Sequence, residues 1–80
     1  ITLYPNPATS EVNVQIKNLN SKNLGVSLLD SQGREVAVRN FERTGELFNH
    51  TFDVRSYRKG IYMLRITGDE KTYVLRLTVL

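Results

Sequence analysis

The side chains that most often catalyse reactions or bind metals are few in this sequence of 80 residues. There is one histidine, His50, and no cysteine, which excludes thiol nucleophiles, disulfides and cysteine-based zinc sites. Asp53 falls on the opposite face of the strand predicted for His50, so the two cannot form a catalytic dyad within it. The only adjacent carboxyl groups are Asp69 and Glu70, at a predicted turn, and there is no glycine-rich phosphate loop. We therefore expect no enzymatic activity, no metal site and no cofactor.

The charge balance argues against binding to nucleic acid. A net charge of +3 comes from 11 basic and 8 acidic residues, and the basic ones are scattered apart from a small cluster of Arg55, Arg58 and Lys59. Nucleic-acid binding usually needs a concentrated basic face with interleaved aromatic side chains. No apolar run approaches the ~20 residues of a transmembrane helix. The function of this single small domain, residues 1–80, must then lie in recognition through exposed faces, edges or termini.

The C-terminal part of the sequence predicts a β-hairpin with arms at residues 60–67 and 71–80. The apolar residues of one face are Tyr62, Leu64 and Ile66 in the first arm and Tyr73, Leu75, Leu77 and Val79 in the second. The two sets share a face only if the loop holds an even number of residues. Gly68-Asp69 fits as a two-residue turn with Gly68 at positive φ. This register pairs Leu64 with Tyr73 and Tyr62 with Leu75.

Five segments upstream predict further strands, the first as a short extended entry and the other four by the same alternation. They are residues 1–4, 11–17, 24–29, 35–40 and 47–54, with a charged loop at residues 42–46. In the second of them Val12, Val14 and Ile16 point inward. In the fifth, His50 shares a face with Phe52, and we expect it to be a half-buried packing residue. The sequence therefore predicts an all-β fold, an immunoglobulin-like antiparallel β-sandwich of about seven strands with Greek-key connections.

Ser31-Gln32-Gly33 predicts a tight hairpin loop of three residues, with glycine where left-handed backbone is needed. Asp30 and Arg34 flank it and can form an ion pair at the surface. An odd loop places even-numbered residues of both arms on one face, so Val36 and Val38 are expected to point inward, beside Val26 and Leu28 on the preceding arm.

Two further motifs have structural interpretations. Residues 53–62 run from a strand through a short polar arch to Gly60 and Tyr62, which is typical of a tyrosine corner, where the hydroxyl bonds to the arch backbone. Pro5-Asn6-Pro7 interrupts the first extended segment. Proline removes a backbone donor, so this segment is expected to be a bend that blunts a sheet edge.

Four stretches, taken in order along the chain, resemble one family closely. They are Leu3-Tyr4-Pro5-Asn6-Pro7-Ala8, residues 28–36 with the Gly33-Arg34 hairpin, residues 60–66 with Gly60-Ile61-Tyr62, and residues 71–79. Their order and spacing are similar to those of the type A C-terminal sorting domain of the type IX secretion system of Gram-negative bacteria. The resemblance covers essentially the whole chain.

The resemblance implies a role as well as a fold. Members are seven-stranded immunoglobulin-like domains at the C-terminus of larger exported proteins. They carry a covalently linked N-terminal passenger from the periplasm, through the outer-membrane translocon and its shuttle components, to the cell surface or the medium. A surface sortase then cleaves ahead of the domain, and many passengers become attached to lipopolysaccharide.

The resemblance carries over to particular positions of this sequence. The structural motif falls on Pro5, Asn6, Pro7, Gly33, Gly60 and Tyr62. The recognition residues are Lys71, Arg76, Thr78, Leu77 and Val79. Many members have lysine where this chain has Arg76, and arginine's planar fork differs from a point ammonium charge. We expect Arg76 and Thr78 on the exposed face of the last strand, and Lys71 at its start, to form the recognised surface. The alternative is that Lys71 and Arg76 only form a solvated outer face. Leu77 and Val79 are also expected to be buried in the core.

Two other classes of function remain open from the sequence. An immunoglobulin-like adhesion or carbohydrate-binding module should expose aromatic side chains, and an exposed Tyr57 beside Arg55 and Arg58 would favour it. A structural spacer in a multidomain enzyme should continue well beyond Leu80. In any of the three classes, exposed edge strands favour weak dimers.

Overall fold

A computed structural model describes residues 1–42 and 45–80, so the charged loop predicted at 42–46 lies partly outside the described residues. The described residues form seven strands in chain order. Their bounds are Thr2–Tyr4 (β1), Glu11–Lys17 (β2), Asn23–Leu29 (β3), Glu35–Glu42 (β4), Leu47–Asp53 (β5), Gly60–Thr67 (β6) and Thr72–Val79 (β7). Among these residues no helix is long and apolar enough to span a membrane.

The strands form two sheets, β1-β2-β5 and β4-β3-β6-β7, and every strand pairing is antiparallel. Alternation explains the layering, because inward side chains at every second position build one core between the sheets. Of the described residues, fourteen hydrophobic ones are buried in it, among them Val12, Val14 and Ile16 of β2. The predicted all-β immunoglobulin-like sandwich is confirmed.

His50 packs among aromatic rings that join the two sheets. Its ring lies 4.8 Å from that of Phe52 and 5.0 Å from that of Phe41, both edge-on. Phe41 also contacts Phe48 edge-on. Burial, together with the positive charge of Arg39, lowers the pKa of His50 below 6.5. The half-buried packing role predicted for His50 is confirmed.

The three-residue loop between β3 and β4 has the predicted form. Gly33 adopts φ +82°, and Asp30 N–H donates to the carbonyl of Arg34. The inward positions predicted for Val36 and Val38 were wrong, since these side chains are 39% and 41% exposed. The pairing shifts by one residue between Leu28 and Leu29. Such a bulge reverses the facing of every later side chain, so the odd-numbered residues of β4 face inward instead.

The register predicted for the C-terminal hairpin was also wrong, although the faces were right. Leu64 pairs with Leu75 and Tyr62 with Leu77, so each partner lies two residues beyond the predicted one. Gly68 N–H donates to the carbonyl of Lys71, which centres the turn on Asp69 and Glu70. Because side chains alternate between the two faces, a register shift of two residues keeps the same side chains on the buried face but changes every cross-strand partner.

The hydrogen bonds of Asp69 explain why the turn is displaced. Its carboxylate accepts from the backbone N–H groups of Lys22 and Asn23, at 2.8 and 3.2 Å, and its own N–H donates to Ser21 Oγ. Asp69 thus ties the β6–β7 turn to the loop before β3. Gly68 does not adopt the predicted positive φ. A Cβ there would lie 3.2 Å from Ser21 Oγ, so close packing explains the glycine.

Candidate functional site

The terminal strand β7 lies at the edge of the four-stranded sheet and presents two different faces. Leu77 and Val79 point inward and are 0% and 2% exposed. Arg76 is exposed and Thr78 is half-buried on the outer face, two positions apart. Since residues i and i+2 of a strand lie on the same side, the Arg76 and Thr78 side chains are neighbours. We call these two residues the terminal-strand surface.

Asn6, which lies between two prolines, bonds directly to the backbone of Arg76 and Thr78. Its Nδ2 donates to the carbonyl of Arg76 at 3.0 Å, and its Oδ1 accepts from Thr78 N–H at 3.1 Å. Ala8 continues the contact, because its N–H donates to Thr78 O and its carbonyl accepts from Leu80 N–H, both at 2.8 Å. We call Asn6 and Ala8, bonded in this way, the edge clamp. The clamp closes the C-terminal half of the β7 edge.

Lys71 lies at the other end of β7, beside the turn. At about 3.3 Å per residue, Lys71 and Arg76 are separated by roughly 16 Å along the strand. Lys71 lines a polar cleft of about 330 Å³ together with Leu19, Asn20, Glu70 and other residues of the two adjoining loops. The structure therefore brings Arg76 and Thr78 together but leaves Lys71 apart.

Both Lys71 and Arg76 lack an acidic partner among the described residues. The ion pairs of the described part are Asp30–Arg34, Asp53–Arg55 and Glu35–Arg65. The side-chain hydrogen bond from Arg55 lowers the pKa of Asp53 to about 2. Surface pairs of this kind contribute little to stability. None of these three pairs involves Lys71 or Arg76.

The tyrosine corner is present. The hydroxyl of Tyr62 donates to the carbonyl of Arg58 at 2.7 Å, and Gly60 adopts φ +151°, which favours glycine. Tyr57 is half-buried and stacks on Tyr62 with ring centroids 5.8 Å apart. The exposed Tyr57 that would favour a carbohydrate-binding module is therefore not observed.

The sequence did not predict the two long-range roles of Asn6 and Asp69. Asparagine between two prolines indicated a bend, but nothing in the pattern pointed to β7, 70 residues away. Asp69 was assigned to the turn without its bonds to Lys22 and Asn23. No group of three or more histidine, aspartate or glutamate side chains in the described residues could hold a metal ion.

A seven-stranded sandwich with a tyrosine corner and a clamped terminal strand defines an immunoglobulin-like β-domain. The family model of the secretion system C-terminal sorting domain matches residues 2–80. The chain therefore belongs to the C-terminal sorting domains of the type IX secretion system. No curated protein matches the chain.

Proposed function

We propose that this domain carries a covalently linked N-terminal passenger from the periplasm across the outer membrane, through the type IX translocon and its shuttle components. A surface sortase then cleaves ahead of the domain, and the passenger is released or attached to lipopolysaccharide at the cell surface. The observation that carries the proposal is the family match over residues 2–80. The domain itself supplies recognition and no catalysis.

The proposed recognition surface comprises the terminal-strand surface and Lys71. Arg76 and Lys71 are exposed cations without an acidic partner in the described residues, and Thr78 adds a hydroxyl beside Arg76. Leu77 and Val79 contribute by holding β7 in the sheet, because their side chains are buried. Charged groups of this kind set the specificity and rate of encounter with a complementary surface.

Charge reversal tests this surface without removing core residues. A truncation of residues 75–80 would remove Leu77 and Val79 from the core, so its failure to be exported would have two explanations. In K71E/R76E both substituted side chains are exposed. The variant R58E/K59E makes the same change in net charge at two exposed residues of the arch and serves as the matched control.

Each variant is fused to a fluorescent passenger with its own inner-membrane signal and expressed in a host with a working type IX system. We expect the wild type and R58E/K59E to reach the surface or the medium with the mass of the domain lost, and K71E/R76E to remain in the periplasm. Circular dichroism of the purified domains checks that all three are folded. Export of folded K71E/R76E at the wild-type level would refute the proposed surface.

A further inference from the structure

The N-terminal half of the β7 edge is left open by the clamp. The four outward bonds of the clamp use the N–H and C=O of Thr78, the C=O of Arg76 and the N–H of Leu80. Even-numbered residues of β7 therefore direct their backbone groups away from β6. By the same alternation, Val74 N–H, Val74 C=O and Arg76 N–H point outward. No described residue bonds to them. We call residues 72–76 the open edge.

The opposite edge of the same sheet is protected in a way that the open edge is not. On β4, Arg39 occupies a core-facing position, opposite Val26, and its Nη1 covers the carbonyl of Val38. A charged residue at a core-facing position and a covered carbonyl both hinder the addition of a further strand. On the open edge the core-facing residues are Tyr73 and Leu75, both half-buried, and no proline or bulge interrupts the strand.

The side chains of the open edge define what would pair with it. Val74 is 55% exposed on the outer face, and Arg76 follows it there. On the inner face an added strand would cover the exposed parts of Tyr73 and Leu75. A complementary strand thus carries apolar residues opposite these three and a carboxylate opposite Arg76, whose charge has no acidic partner in the described residues.

We propose that the open edge of β7 accepts an extended, acidic strand of a partner protein by β-augmentation, with the edge clamp fixing where the pairing stops. The inference rests on the proposed sorting function and names how the machinery contacts the domain. A second copy of the chain fits less well. In a two-fold antiparallel pairing centred on Val74, Arg76 would face Thr72 of the copy and gain no counter-charge.

The test uses two substitutions at Val74 in the full passenger fusion. V74P removes an outward N–H and places a ring on the edge, while the bonds of β7 to β6 remain, and proline is tolerated where the N–H faces solvent. V74T changes the same side chain but keeps the backbone. Losing a hydrogen bond and the close approach of a strand predicts that V74P is exported roughly tenfold or more below the wild type, with V74T close to it.

Export of folded V74P at the wild-type level overturns the inference while leaving the sorting function standing. Equal loss in V74P and V74T also overturns it, because the side-chain face and not the edge would then be recognised. Failure of the wild-type fusion itself counts against the sorting function and, with it, this inference. If the purified domain assembles through β7 at micromolar concentration, the inference is also overturned, because the edge would then bind a second copy and not a partner strand.

If V74P does not fold, hydrogen exchange of the wild-type domain tests whether a partner strand pairs with the open edge. Wild-type domain is mixed with outer-membrane vesicles from a host with a working type IX system and, as control, from the same host lacking it. We expect the amides of Val74 and Arg76 to exchange about tenfold more slowly when roughly nine-tenths of the domain is bound. Unchanged exchange at both amides, with the domain bound to the vesicles, overturns the inference.

Discussion

At the scale of single residues, the hydroxyl of Tyr62 fixes the arch between the two sheets. Tyr62 is 7% exposed and donates to the carbonyl of Arg58 four residues upstream. The ring of Tyr57 packs on it, but the Tyr57 hydroxyl bonds to no described residue. Two stacked tyrosines, only one of them hydrogen-bonded, offer a direct comparison of the hydroxyl's contribution.

Replacing Tyr62 by phenylalanine is expected to lower the free energy of unfolding by about 1 kcal/mol, the typical net value of one hydrogen bond. Tyr57→Phe should change it by less than about 0.5 kcal/mol, since the Tyr57 hydroxyl that is removed makes no hydrogen bond in the described residues. Urea denaturation of the three proteins measures both values. Equal losses in the two variants would show that the corner bond does not stabilise the fold.

The hydrogen bonds of Asp69 make the stability of the fold depend on pH. The hydrogen bond from Lys22 N–H, aided by that from Asn23 N–H, holds the pKa of Asp69 below its usual 3.8. Because the folded-state pKa is depressed, the carboxylate stabilises the fold above pH 3.8 and this contribution is lost as the pH falls through the lower, folded-state value.

Asp69→Asn should therefore have a lower urea midpoint than the wild type at pH 7, and the difference should shrink as the pH falls below 3.8. The adjacent exposed Glu70 makes no hydrogen bond in the described residues, so Glu70→Gln serves as control and should leave the pH 7 midpoint unchanged. A difference between wild type and Asp69→Asn that is constant from pH 7 to pH 2 would contradict the assignment.

At the scale of elements, the edge clamp joins the segment after β1 to the last strand. The amide of Asn6 both donates and accepts, as a strand residue would, and therefore substitutes for one at the sheet edge. Ala8 forms a parallel bridge with Val79 and is fully buried. The chain thus crosses from one sheet to the other while closing half of an exposed edge.

Asn6→Ala is expected to cost about 1 kcal/mol in the free energy of unfolding, because two exposed hydrogen bonds of modest net value are lost. The amide of Thr78, which donates to Asn6 Oδ1, should exchange faster with solvent. Asn49→Ala is the matched control, since Asn49 is exposed and its side chain makes no hydrogen bond in the described residues. Unchanged exchange at Thr78 in Asn6→Ala would contradict the clamp.

The sequence predicted the elements better than their registers. Alternation located six of the seven strands of the described residues and the buried face of β7, because burial acts on every second side chain, and β1 was predicted as a short extended entry. The inward side chains of β4 were predicted wrongly because of the bulge after Leu28, which the alternation of residues does not indicate. The hairpin register was predicted wrongly because an even loop length fixes which side chains share a face but not which residues pair. Several registers keep the same face, and the hydrogen bonds of Asp69 select one of them.

The candidate site was predictable only in part for the same reason. The inward position of Leu77 and the outward position of Arg76 follow from alternation along one strand. The contact between Asn6 and Arg76 joins residues 70 positions apart, and no local pattern encodes it. The open edge exists only because that contact stops where it does, so it could not be inferred from the sequence.

At the scale of the whole molecule, the two termini lie at opposite ends of the sandwich, whose longest extent is 33 Å. Thr2 pairs with Gln15 near the loop that Asp69 bonds, which places Ile1 at the end of the β6–β7 turn. Val79 pairs with Gly60 at the arch, which places Leu80 at the other end. A passenger joined before Ile1 would leave the terminal-strand surface clear for the export machinery.

The central claim, that this domain alone directs export of whatever precedes it, is tested most directly by transferring it to an unrelated passenger. Residues 1–80 are fused behind a fluorescent protein that has its own inner-membrane signal. The fusion is expressed in a host with a working type IX system and in the same host with the translocon disrupted. We predict fluorescence at the surface or in the medium, with the mass of the domain lost, in the first host and intact periplasmic fusion in the second. Intact periplasmic fusion in both hosts, while the first exports its own cargo, would contradict the account.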